Sequence, residues 1–149
     1  MIRYFDASAL VKKYVEEQDS DLVRDRLLKG RAATSRLSEV EITSALSRRC
    51  REGSLSEEDR DAAITAVRKD FQALIKVELS PQVVTVAREL LTGYDLRAGD
   101  AIQLASCLFL RNRGLNLEFL AFDGRLNLAA RAMGLSEPKA SGRPRLSTS

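Results

Sequence analysis

The chain has 149 residues, 44% hydrophobic and 30% charged, enough for one core and too few for two comfortable domains. It contains no histidine and two widely separated cysteines, which excludes imidazole acid–base chemistry and argues against a cysteine–histidine zinc site. A net charge of +3 and a pI near 9.1 form a mild basic bias that suits a polyanionic partner.

The elements follow in chain order. Residues 2–5 form a short apolar run that stops on Asp6 and reads as a strand, and helices are predicted over residues 7–14 and 22–28, the second ended by Lys29-Gly30. Residues 32–35 read as a weaker strand. Ser38 opens a Ser-x-x-Glu capping box with Glu41, followed at helical spacing by Ile42, Ala45, Leu46 and Cys50. Ser56 to Asp59 repeats the capping signal before a helix with Ile64, Val67, Phe71 and Leu74 on one face. A brief strand is predicted at residues 77–79, and Ser80-Pro81 marks the start of another amphipathic helix. Residues 101–110 are apolar nearly all round, interrupted by Gln103 and Ser106, which describes a helix buried on most sides. A last strand over residues 119–122 stops on Asp123, and a helix with Leu126, Ala129, Ala130 and Met133 follows, closed by Gly134.

Strands alternating with helices predict an α/β fold with a central parallel sheet covered on both faces. The expected domain spans residues 1–135, with a basic, disordered tail over residues 136–149 that carries Lys139, Arg143 and Arg145. No stretch is apolar for long enough to span a bilayer and no signal sequence opens the chain, so a cytoplasmic protein without a membrane partner is expected. Cys50 and Cys107 read as reduced, buried or half-buried thiols.

Four acids fall at strand ends or helix starts: Asp6, Glu41, Asp100 and Asp123. Each has an ordinary structural role open to it. Asp6 fits an N-cap, Asp100 fits a capping box with Gln103, Glu41 fits the third position of the Ser38 box, and Asp123-Gly124 fits a tight turn. Together they converge at the carboxyl edge of the expected sheet, where open α/β sheets bind ligands. Clustered carboxylates repel one another unless a cation neutralises them, and a hard divalent ion with oxygen ligands fits. Such a site hydrolyses phosphodiesters without histidine.

In order along the chain, Asp6-Ala7-Ser8-Ala9-Leu10, the stretch from Ser38 to Leu46, the segment Leu96-Arg97-Ala98-Gly99-Asp100-Ala101-Ile102-Gln103 and Phe122-Asp123-Gly124-Arg125-Leu126 resemble the motifs of PIN-domain ribonucleases, in particular VapC toxins of toxin–antitoxin systems. The resemblance implies a three-layer α/β/α sandwich with an acidic pocket that binds Mg²⁺ or Mn²⁺ and cleaves RNA. It implies that Asp6, Glu41, Asp100 and Asp123 are the metal-binding and catalytic acids, and that the Ser8 hydroxyl supports the first of them. It also implies a homodimer and a cognate VapB-type antitoxin whose tail lies in the active-site groove, with operator DNA met only through that antitoxin.

The choice of Glu41 rests on the family's Glu-x-x-x-Ala-Leu pattern, because the helical wheel sets Glu39 nearer the apolar face and leaves the two open. Gln103 stands where many relatives carry His, and Ala121 where many carry Thr or Ser. Arg3, Arg97 and Arg125 lie near the acids in sequence and suit either phosphate contacts or plain ion pairs. Two rivals are a non-catalytic PIN-like RNA-binding domain and a haloacid dehalogenase-type phosphatase. The phosphatase wants a second acid two positions after the first, where this chain has Ser8.

Overall fold

The computed structural model describes residues 1–137. Four strands, β1 (Ile2–Phe5), β2 (Arg31–Ser35), β3 (Ile75–Val77) and β4 (Leu117–Leu120), form one sheet in the order β3-β2-β1-β4, with every pairing parallel. Between them run α1 (Ala7–Tyr14), α2 (Ser20–Leu27), α3 (Leu37–Arg51), α4 (Glu57–Phe71), α5 (Pro81–Gly93) and α6 (Ala98–Asn112), and α7 (Gly124–Ala132) closes the order.

Alternation along the strands divides the core in two. Ile2, Tyr4, Leu117 and Phe119 point to a layer built from α5, α6 and α7, while Phe5 and Leu120 point to one built from α1 to α4. The Tyr4 and Phe119 rings, paired in register, stack with centroids 5.7 Å apart. This is the expected three-layer α/β/α sandwich. As expected, α6 is buried on most sides, Ser56 and Ser80 cap their helices, and Cys50 and Cys107 are free thiols.

The differences are local. β4 ends at Leu120, opposite Phe5, so Ala121 and Phe122 leave the sheet as an extended link to Asp123 rather than forming strand. β3 likewise lies at Ile75–Val77, because register with β2 ends at Val77 and the half-exposed Leu79 turns away. Ser38 is not an N-cap: α3 starts one residue earlier, at Leu37, and the Ser38 hydroxyl is fully buried. Ser136, placed in the tail from sequence, bridges to β4 by accepting from the Phe119 N–H at 2.9 Å. Lys139, Arg143 and Arg145 lie outside the described residues.

From β1 the chain moves outward through β2 to β3, then crosses back to place β4 on the other side of β1. That reversal is the topological switch point, and the crevice beyond the carboxyl ends of β1 and β4 is where such sheets take ligands. No helix among the described residues is long and apolar enough to cross a membrane.

Candidate active site

Asp6 stands directly after β1, 3% exposed, as the N-cap of α1. One carboxylate oxygen accepts from the Ala9 N–H at 2.9 Å, and the Ser8 hydroxyl donates across both oxygens at 2.8 and 2.9 Å. The capping role and a place in the acidic cluster thus coincide in one side chain. Burial pushes Asp6 up to about 7; the Ala9 and Ser8 hydrogen bonds oppose that rise, and the charges of Asp100 and Glu41 add to it.

Asp100 lies in the first turn of α6, as its third residue, and reaches back to the backbone N–H of Arg97. The capping box expected between Asp100 and Gln103 is therefore absent: Arg97 is the N-cap and makes no side-chain cap bond, Asp100 alone reaches back to it, and Gln103 turns inward. Half-burial raises the Asp100 pKa, and repulsion from Asp123 adds to it. Asp123 is exposed and caps α7, accepting from the N–H groups of Arg125 and Leu126 at 2.9 and 3.0 Å. Three helix N-termini thus present their partial positive ends to three of the acids.

Glu41, on the second turn of α3, completes the set. Its pKa is raised by burial and by Asp100, against a hydrogen bond from Gln103. Glu39 instead pairs with Arg36 at 2.9 Å at the surface, where Arg36 also holds Glu78. The fold therefore separates the two glutamates that the helical wheel left open and puts Glu41 with the acids.

Sequence reasoning missed the scaffold behind Glu41. Gln103, 2% exposed, donates from Nε2 to Glu41 Oε1 and to the Ser38 hydroxyl, each at 2.9 Å, while its carbonyl accepts from the Tyr4 hydroxyl at 2.6 Å. Ser38 and Thr34 lie 2.7 Å apart, and Thr34 donates to the Phe5 carbonyl at 2.7 Å, so the chain of bonds ends on the peptide that carries Asp6. Burial holds the Tyr4 phenol well above its usual range, so it stays a donor. A lone glutamine in an otherwise apolar helix was the available signal, since a buried amide must find partners.

The arginines divide. Arg97 is exposed, borders the acidic groove and interacts electrostatically with Asp100. Arg125 pairs with Asp95 at 3.4 Å on the surface, and Arg3 pairs with Glu118 at 3.0 Å, across the β1–β4 register.

All four acids offer oxygen donors, and burial and mutual repulsion hold three of them above their ordinary range, an arrangement that a bound cation would relieve. Among the described residues no three acids stand close enough to make a ready cage for a metal. The donor set therefore fits a hard ion that keeps much of its water and takes only one or two carboxylates, as Mg²⁺ does.

A sheet with its switch point at β1 and acids at three helix starts defines a class of α/β proteins, and the PIN domain family profile matches residues 3–132. The chain belongs to the PIN domain family. Within it, the chain is 35% identical over 133 residues to Ribonuclease VapC45 of Mycobacterium tuberculosis, covering 88% of this chain and 90% of that one. The crystal structure of Mycobacterium tuberculosis VapC20, described as a sarcin–ricin loop cleaving toxin, is similar with a TM-score of 0.67 at 19% identity, over 93% of this chain and 99% of the other. VapBC-1 from nontypeable Haemophilus influenzae matches with a TM-score of 0.62 at 13% identity, over 93% and 97%.

Proposed function

We propose that this protein is a Mg²⁺- or Mn²⁺-dependent endoribonuclease and the toxin of a bacterial toxin–antitoxin pair. The observation that carries the reading is the placement of Asp6, Glu41, Asp100 and Asp123 around the switch point of a PIN sheet, where Asp100 acts electrostatically on Asp6 and Glu41 and is itself acted on by Asp123. The relative named a ribonuclease supports RNA as the substrate, and the VapBC neighbour supports an antitoxin partner.

In this reading one or two of Asp6, Glu41, Asp100 and Asp123 hold the cation directly, and the others meet it through its bound water. When bound, it supplies a water of lowered pKa and a positive partner for phosphate oxygens. Ser8 and the Ala9 N–H hold the Asp6 carboxylate in one orientation, and Gln103 does the same for Glu41. Arg97 at the rim draws the phosphate toward the acids. A homodimer, a VapB-type antitoxin lying in the groove, operator DNA met through that antitoxin, and a cytoplasmic location complete the proposal.

The test is incubation of the purified chain with total RNA and Mg²⁺ or Mn²⁺, with and without chelator, beside Asp6→Asn and Asp100→Asn. Cleavage lost in the chelated and variant lanes is the expected result, and equal cleavage in every lane overturns it. The dispersed placement of the acids favours one second reading, an RNA-binding domain without catalysis. RNA bound but uncut, with no heat of Mg²⁺ or Mn²⁺ binding, would select it. The phosphatase reading has lost its ground, because Ser8 bonds to Asp6 where that chemistry wants an acid.

A further inference from the structure

The groove that holds Glu41 and Asp123 encloses about 670 Å³ and extends past the acids between α1 and α3. Its far end is basic, lined by Lys12 of α1 and by Arg48 and Arg49 in the last turn of α3. Cations are favoured at a helix C-terminus in any case, yet Arg51 of the same turn does not line the groove while Arg48 and Arg49 do. Arg48 is seven residues after Glu41, two helical turns, so it lies on the same face about 10 Å along α3.

The partners of these cations differ. Arg48 is exposed and has no carboxylate partner among the described residues. Arg49 donates to Glu17, and Lys12 lies 3.2 Å from the same carboxylate. Glu17, itself lining the groove, is thus one anion shared by two cations at the place where the acidic half gives way to the basic half.

We propose that this end is a phosphate subsite for the RNA backbone flanking the scissile bond, with Arg48 as its open contact and Glu17 as the counter-ion an incoming phosphate displaces. The proposal rests on the ribonuclease reading. A strand whose scissile phosphate sits at the acids places a neighbouring phosphate along α3 at Arg48. That phosphate competes with Glu17 for Arg49 and Lys12, so Glu17 weakens the subsite for lone anions and for short RNA. A planar guanidinium meets phosphate oxygens with two N–H groups, which suits Arg at this position.

The experiment measures anisotropy of a labelled single-stranded RNA oligonucleotide on the full chain, in chelator so that nothing is cut, across a salt series. Arg48→Ala is expected to lower affinity about five- to tenfold and to reduce the slope of log K against log salt by about 0.7, the value for one single-strand phosphate contact. Glu17→Gln is expected to raise affinity several-fold, whereas Glu89→Gln, an exposed acid on α5, leaves it unchanged. Unchanged affinity and slope in Arg48→Ala overturn the subsite, as does an equal gain in Glu17→Gln and Glu89→Gln. A wild-type chain that binds with the full slope, loses it in Arg48→Ala and cuts no RNA with metal would keep the subsite and remove the ribonuclease reading. Cleavage by the wild type with a silent Arg48→Ala would do the reverse.

Discussion

Gln103 donates to Glu41 Oε1 at 2.9 Å from a position that is itself closed to solvent. The amide is fixed from behind by Tyr4 and Ser38, so the glutamate carboxylate is oriented by a rigid core rather than by its own rotamers. Gln103→Ala strands the Tyr4 hydroxyl and frees Glu41. We expect a loss of about 1–3 kcal/mol in denaturant unfolding, and RNA cleavage reduced about 10- to 100-fold at equal folded protein. Gln103→Glu keeps the volume but sets a second acid against Glu41, and should cost more of both. Full cleavage in Gln103→Ala would show that the amide serves stability alone.

The two glutamates of α3 offer a sharper contrast. Glu41→Gln removes one of the clustered charges and should lower cleavage by about a hundredfold or more, as loss of one charge-stabilising group does in other sites. Glu39→Gln breaks only an exposed pair with Arg36, and should leave cleavage intact and stability within about 1 kcal/mol. Comparable losses in the two variants would mean that Glu39 also reaches the substrate.

Legibility in the sequence followed the range of the interactions. Asp6 was readable because a strand, its terminal acid and the capped helix after it are contiguous, and Asp123 because it directly precedes and caps α7, although two residues separate it from β4. Glu41 and Glu39 were not separable, because helical angle reports the side of α3 and not which neighbour lies across it. That neighbour, Gln103, is 62 residues away, on α6. Ser38 misled for the same reason: its hydroxyl has a long-range partner better than the cap, and local pattern carries no trace of it. The strand limits missed by two residues because register with β1 and β2, not apolarity, ends β4 and β3.

The metal-free protein should show the cost of holding Asp6 charged. Its folded pKa, near 7 against an ordinary 3.8, means that the native state keeps a proton the unfolded chain has already lost. The stability tied to that proton is complete below about 3.8 and is lost as pH rises through about 7. Asp6→Asn retains an N-cap side chain and removes the titration. In chelator, wild type minus Asp6→Asn stability should therefore fall between pH 4 and 7, and added Mg²⁺ should restore it at pH 7. A flat difference across that window would contradict the buried, repelled carboxyl.

Thiol chemistry should distinguish the two cysteines. Cys107 is fully buried in α6, and burial pushes its thiol up to about 12, whereas Cys50 is only half-buried near Arg60. A thiolate-selective reagent should titrate one thiol quickly in the native protein and two in denaturant, because Cys107 must wait for the core to open. Two fast thiols in the native state would contradict the packing of α6.

Gly99 separates activity from stability. It sits in the first turn of α6 beside Asp100, and a Cβ there would lie 3.1 Å from Glu41 Oε2, with Gln103 holding the other oxygen. A carboxylate held by Gln103 on one side and pressed by a Cβ on the other must shift by a few tenths of an ångström. In a helix Gly→Ala ordinarily stabilises by roughly 0.5–1 kcal/mol through the unfolded chain. Gly99→Ala should therefore keep or slightly raise the thermal midpoint while weakening Mg²⁺ binding by calorimetry and lowering cleavage about tenfold or more. Since Gly99 touches neither Asp6 nor the basic end of the groove, RNA affinity in chelator should be unchanged. A Gly99→Ala protein that binds Mg²⁺ and cleaves as the wild type does would mean that the orientation of Glu41 is not what the site depends on.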